Sequence, residues 1–128
     1  MIRKTLKSVK PGKTFKINGS TIRYIVIYKE ELKVCCIVVG GHPESIGKET
    51  TFQLNMTVNN VKNPDKTLLA SLKRTDSFVV KDPNNPKTCL FQKLVNDTDN
   101  KIWICEGLFP KKSDTLELPV STSVIKVG

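Results

Sequence analysis

The chain has 128 residues, 38% of them hydrophobic and 26% charged, and carries a formal net charge of +9. That balance excludes a disordered tract, and the longest apolar run, Val34 to Val39, falls far short of the roughly 18 residues of a membrane helix. Residues 1–64 hold 11 Lys/Arg against 4 Asp/Glu and residues 65–128 hold 10 against 8, so the positive charge is concentrated in the first half.

In chain order, Ile2, Leu6 and Val9 are spaced as one helical turn or an irregular lead-in. Lys10-Pro11-Gly12-Lys13 is a turn, with proline pre-setting φ and glycine adding freedom. Thr14 to Ile17 is a short strand, Asn18-Gly19 a hairpin signal, and Thr21 to Tyr28 a strand rich in β-branched and aromatic residues. Lys29-Glu30-Glu31 turns the chain. Leu32 to Val39 reads as the central strand, covered on both faces. Gly40-Gly41-His42-Pro43 breaks it, and a loop continues to Lys48. Glu49 to Leu54 alternates as a strand, and Met56, Val58 and Val61 close this part of the chain. Asn63 is a plausible helix cap with Pro64 at the first helical position, and Leu68, Leu69 and Leu72 share one face of the turn that follows.

The opening is then written again. Leu6, Ser8, Val9, Lys10, Thr14, Phe15 and Ile17 return 63 positions later as Leu69, Ser71, Leu72, Lys73, Ser77, Phe78 and Val80. The element order recurs as well: strands at Ser77 to Val80, Thr88 to Val95 and Lys101 to Glu106, with Gly107 matching Gly40 and Thr115 to Leu118 matching Thr51 to Leu54. The offset drifts to 66, with length changes in turns. Repetition on this scale marks duplicated structural units. Five short strands per copy, with no helix long enough for an α/β fold, predict an all-β protein. It consists of two tandem small antiparallel barrels: residues 1–62, a linker at 63–68, and residues 69–128. Units of this size bury little surface alone, so they are expected to share an interface.

Catalytic material is scarce. The sole histidine, His42, precedes a proline, and no phosphate loop or nucleophile motif is present. Glu30 and Glu31 read as solvated turn residues. Cys35, Cys36, Cys89 and Cys105 lack metal-ligand spacing and read as reduced, buried thiols. Asp97 and Asp99 lie in an ordinary Asx-rich turn. No catalytic residue, metal site or cofactor is assigned, and a non-enzymatic binding protein is expected.

Glu30 is the first acidic residue, after eight basic ones, a footprint that suits a polyanion; a merely solubilising surface is the plain alternative. Lysine outnumbers arginine 18 to 3, which favours phosphate contacts over base reading. The candidate contacts are Arg3, Lys4, Lys7, Lys10, Lys13, Lys16 and Arg23, with Lys73 and Arg74 in the second copy. Arg23 should face solvent if Ile22 faces the core. Tyr24 and Tyr28 could stack on bases, although core burial is the commoner fate, and Trp103 reads as core. The Lys10–Lys13 turn offers backbone amides and two ammonium groups to a phosphate. Its counterpart, Lys73-Arg74-Thr75-Asp76, includes an acid and lacks the glycine, so the second unit is the weaker binder.

The Val9-Lys-Pro-Gly-Lys-Thr-Phe15 opening, where Gly-x-x-Phe leads into a strand, and Gly47-Lys-Glu-Thr-Thr-Phe52 resemble small phage proteins with tandem KOW/Tudor-type (SH3-like) barrels, of the MotB-like kind. The resemblance spans both copies at the level of pattern. It implies largely sequence-independent binding of double-stranded DNA and a role as a phage-type modulator of host DNA or transcription. Such barrels also bind RNA, polymerase and modified peptides, although no aromatic cage is evident here. The expected partner is DNA ahead of RNA, and the alternative is a protein–protein module acting on a host polymerase, nucleoid or defence factor. A virion structural piece is a third reading. No membrane association is expected, and the protein should be a monomer or weak dimer. The Met-Ile-Arg-Lys N-terminus lacks the apolar core of a signal peptide, so a cytoplasmic location is expected, the host cytoplasm if the protein is viral.

Overall fold

Leu6 and Leu69 are each fully buried and each open a one-turn 3-10 segment, Leu6–Ser8 and Leu69–Ser71. Ser8 Oγ donates to the Thr5 carbonyl (2.9 Å) and Ser71 Oγ donates to the Leu68 carbonyl (2.7 Å), the same local bond in both copies. Three residues past each anchor, Val9 and Leu72 are buried, and Phe15 and Phe78 have no exposed surface. The repeated residues are thus the plugs of two separate cores. Truncating either phenylalanine to alanine costs about 3–5 kcal/mol.

The computed structural model describes residues 3–128, so Ile2 lies outside the described residues. Twelve strands follow in order: β1 (Arg3–Thr5), β2 (Thr14–Lys16), β3 (Arg23–Lys29), β4 (Lys33–Gly40), β5 (Glu49–Gln53), β6 (Thr57–Lys62), β7 (Thr67–Leu68), β8 (Ser77–Lys81), β9 (Cys89–Asn96), β10 (Ile102–Phe109), β11 (Thr115–Pro119) and β12 (Ser123–Val127). They form two six-stranded antiparallel sheets, β1-β6-β2-β3-β4-β5 and β7-β12-β8-β9-β10-β11. The two orders are the same order. Among the described residues no helix is long and apolar enough to cross a membrane.

Main-chain bonds repeat as faithfully as the strands. Gly12 N–H donates to Val26 O and Val26 N–H to Lys13 O; Thr75 N–H donates to Leu94 O and Leu94 N–H to Asp76 O. Leu6 and Lys7 donate to Met56 O and Leu54 O, and Leu69 and Ala70 donate to Thr122 O and Val120 O. These pairs show where the sequence alignment slips. Val38 exchanges bonds with Gly47 and Lys48, and Gly107 does so with Ser113 and Asp114. Gly107 therefore corresponds to Val38 and not to Gly40, and β11 corresponds to Glu49–Gln53. A side chain at Gly107 would meet the Lys111 carbonyl at 1.8 Å, which is why this copy needs a glycine there.

Other local expectations are corrected by tertiary pairing. Asn63 and Pro64 start no helix, because Thr67 is held extended against Val124 of β12. Leu68 alternates outward from that strand and is 52% exposed, leaving Leu69 and Leu72 inside. Leu32 sits in the turn closed by Glu30 N–H to Lys33 O and is 78% exposed, so the buried strand begins at Val34. The 41–48 loop contains a 3-10 turn at Pro43–Ser45, and β3 starts at Arg23 rather than Thr21.

The first core gathers Leu6, Val9, Phe15, Val26, Val34, Cys36 and Val58, and the second gathers the equivalent positions around Leu69, Phe78, Leu94 and Cys105. Trp103 is half-buried against the second core. A third core joins the units. Ile25, Ile27 and Ile37 on the outer face of the first sheet pack against Val79, Cys89, Phe91 and Val127 of the second. The two units do not use the same surface for this contact. Lys16 opposes Arg23 in the β2–β3 pair at the register where Val79 opposes Phe91 in the β8–β9 pair. Conversely, Lys93 and Val95 stand where Ile25 and Ile27 stand. The contact is head-to-tail: it covers different ends of the same outer sheet face, leaving the Lys16–Arg23 end open in the first unit and the Lys93–Val95 end open in the second.

Candidate nucleic-acid interface

The uncovered end of the first unit's outer sheet face is basic. Arg3 lies directly opposite Asn59, Asn59 opposite Lys16, and Lys16 opposite Arg23. Residues opposite one another in an antiparallel pair share a face, so Arg3, Lys16 and Arg23 form a row across four strands. Three strand spacings cover roughly 14 Å. Along that length the axis of duplex DNA presents about eight phosphates. Lys16 and Arg23 are half-buried, and Arg23 Nη1 donates to Thr14 Oγ1 at 3.3 Å, which fixes the guanidinium beside the strand. Arg23 is thus neither free in solvent nor paired with an acid.

At the other end of β2 the chain forms the Lys10–Lys13 turn. Gly12 holds φ at +91°, and Lys13 N–H donates to Lys10 O at 3.1 Å. This turn forms one wall of a cavity of about 520 Å³ between the units. The linker residues Asn63, Pro64 and Lys66 form another wall, and Val79, Lys81, Cys89 and Ile125 complete it. An adjoining hollow of about 390 Å³ shares Lys10, Pro11 and Lys81 and adds Lys29, Pro86 and Lys87. Lys29 Nζ donates to the Lys7 carbonyl at 2.7 Å, and partial burial lowers its affinity for a proton. Burial pushes the Cys89 thiol at this site up to about 11, against the pull of Lys81 and Lys66.

Acidic partners lie elsewhere. Among the described residues the ion pairs are Lys33–Glu30, Arg74–Asp97 and Lys111–Asp82. Asp82 follows Lys81 in the chain, but its carboxylate is buried, accepting from Asn84 N–H and Lys111 Nζ. None of the cleft lysines is neutralised this way.

No protein-family model, curated protein or solved structure matches this chain. Its site is therefore read from its own geometry.

The residues expected to bind fall into separate groups. Lys10 and Lys13 line the cleft, while Arg3, Lys16 and Arg23 form the row. Lys7 adjoins them through the bond from Lys29. Lys4 is exposed on edge strand β1 but alternates to the other side, opposite Val58. Lys73 and Arg74 lie apart, on the equivalent turn of the second unit. There Arg74 is held by Asp97 at 3.1 Å, and the Asp76 carboxylate accepts from Lys73 N–H at 2.9 Å. That turn therefore carries carboxylates beside its cations, as the Lys10–Lys13 turn does not. Lys29, Lys66, Lys81 and Lys87 escaped the sequence reading, although a linker between two packed units must cross their junction, which could have pointed to Lys66.

The aromatic residues offer no open platform. Tyr24 stacks on Phe15 at 5.4 Å, and both pack edge-on to Phe52 at 5.0 and 6.0 Å, so the three rings fill one another's space inside the first core. Tyr28 packs against Phe109 of the second unit at 6.0 Å. Among the described residues no group of three or more His, Cys, Asp or Glu side chains converges as metal ligands.

Proposed function

We propose that this protein binds double-stranded DNA through its phosphates, without enzymatic chemistry and largely without sequence preference. In this reading the two sheets are tandem SH3-like barrels of the KOW/Tudor type, and the biological role is phage-type modulation of host DNA or transcription in the host cytoplasm. The observation that carries the reading is the uncovered end of the first unit's outer sheet face. Where the second unit has Val79 and Phe91 against a neighbour, the first has Lys16 and Arg23 in line with Arg3 and without acidic partners. Lysines and arginines so placed act on phosphate charge and position a duplex rather than read its bases.

The test is anisotropy of labelled duplexes of unrelated sequence, titrated at several salt concentrations. Binding that falls linearly on a log–log plot, with Lys10→Glu plus Lys13→Glu weakening every duplex about equally, supports the reading. Loss for one sequence alone refutes that mode, and no binding at low salt removes the reading.

The second unit favours one rival. Val95 (40% exposed) and Ile102 (46% exposed) project from its uncovered side, a small apolar surface suited to a protein partner. A pull-down whose yield survives nuclease treatment favours that module.

A further inference from the structure

Six lysines meet at the junction of the two units, and the first unit supplies only half of them. Lys10, Lys13 and Lys29 come from the first sheet and its turns, Lys66 from the linker, and Lys81 and Lys87 from the β8–β9 hairpin. The two hollows they line adjoin and share Lys10, Pro11 and Lys81 as walls. No acidic residue lines either hollow. Asp82 is turned inward onto Lys111. Like charges crowded into a concavity focus a positive potential that draws in anions.

The shape and charge of the cleft select among anions. It offers ammonium point charges rather than a bidentate fork, and six charges exceed what a single phosphate can use. A hollow of about 520 Å³ is far too small for a whole duplex, but it can take a stretch of one of its backbones. Building on the duplex-binding reading above, we propose that the inter-unit cleft seats one phosphodiester backbone of the bound duplex. Both units then grip the same strand. The second unit contacts DNA through Lys66, Lys81 and Lys87, not through the Lys73–Arg74 turn that mirrors the first unit's binding turn. Because the ligand spans the junction, binding also holds the two units together.

The experiment compares three proteins by anisotropy on a labelled duplex across salt: wild type, Lys66→Ala/Lys81→Ala/Lys87→Ala, and Lys48→Ala/Lys101→Ala/Lys112→Ala. The last changes net charge equally at exposed positions outside the cleft. Thermal unfolding confirms that each is folded. The expected result is at least a tenfold loss of affinity at low salt for the cleft variant. Its log–log salt slope should be shallower by about 2.7, three phosphate contacts at about 0.9 each, with the control variant close to wild type. Equal losses in both variants mean that net charge alone acts, and overturn the inference. A wild type that binds while neither variant weakens confines the site to the first unit and overturns the inference, leaving duplex binding intact. A wild type that ignores the duplex overturns the functional reading itself. Tight binding of a single-stranded probe in that case, lost in the cleft variant, reassigns the cleft to single strands.

Discussion

Arg23 of β3 and Phe91 of β9 hold the same place in two copies of one hairpin, the first opposite Lys16 and the second opposite Val79. One copy leaves that end of the sheet face uncovered and the other buries it. A surface covered by a neighbour must be apolar and an uncovered one is free to carry cations, which is why Lys16 and Arg23 stand where the other copy has Val79 and Phe91. A head-to-tail contact can repeat only if both open ends stay complementary; here Lys93 stands in place of Ile25 and Arg23 in place of Phe91, so neither open end repeats the apolar surface that joins the units.

Phe91 is 6% exposed within the inter-unit core. Phe91→Ala should therefore lower stability by about 3 kcal/mol or more and loosen the coupling between units. Trp103 is the only tryptophan and lies in the second unit, so its fluorescence reports that unit while circular dichroism reports both. In urea the two signals should coincide for the wild type and separate for the variant. Coincident curves with little loss would sink the claim that this core holds the units together.

Gly12 and Thr75 share a positive φ, +91° and +76°, at matching turns. Such a conformation strains an L residue by roughly 1–2 kcal/mol, and threonine is β-branched. Thr75→Gly should stabilise the second unit despite glycine's greater chain entropy, and Gly12→Ala should destabilise the first. The Gly12 site itself has room, since an added Cβ would sit 3.5 Å from Cys89 Sγ, an ordinary contact. Urea midpoints moving in the opposite senses would refute the strain argument.

Gln92 occupies in the second core the place that Tyr24 holds in the first. It is 1% exposed between Leu90 and Leu94, and its Oε1 has no hydrogen-bond partner among the described residues. An unsatisfied buried polar atom costs about 1–3 kcal/mol. Gln92→Leu should raise the melting temperature, and an unchanged or lower value would mean the amide is satisfied by solvent.

Burial pushes the Cys36 thiol up to about 12 and the Cys105 thiol up to about 11, from an ordinary value of 9.0. In the unfolded chain these thiols ionise first. The stability they contribute is complete below pH 9, falls as pH rises above that, and is gone only past the folded values near 11 and 12. For Cys36 the loss by pH 10 is on the order of 1 kcal/mol. The check is the urea midpoint at pH 7, 9 and 10 for wild type and Cys36→Ala, whose decline should be the shallower. Parallel declines would assign the alkaline loss to other groups.

Much of the fold is legible from short stretches. The alternation within Glu49–Gln53, the Asn18-Gly19 turn and the Leu6, Val9 and Phe15 anchors each rest on neighbours a few residues apart, and the strand and the anchors are reproduced in the second copy. Errors arise where one apolar residue must be chosen over its neighbour. Leu68 and Leu69 are equally apolar, and only the pairing of Thr67 with Val124 decides which of them turns inward. The match of Gly107 to Val38 was likewise hidden, because turn lengths shift the offset to 69 in β10 and the hydrogen bonds that define it join distant residues.

The sequence by itself determined that the chain is all-β, that its opening is written twice, and that its net positive charge lies mostly in the first half, where acids are few. Those properties follow from local pattern and composition. Only the tertiary structure decided which end of each outer sheet face is covered, and so which cations share a surface. Lys13, Lys66 and Lys81 belong to three different segments, and no spacing along the chain relates them. They become one cleft because Ile25, Ile27 and Ile37 bury their apolar surface against Phe91 and Val79, and that packing sets the two units side by side.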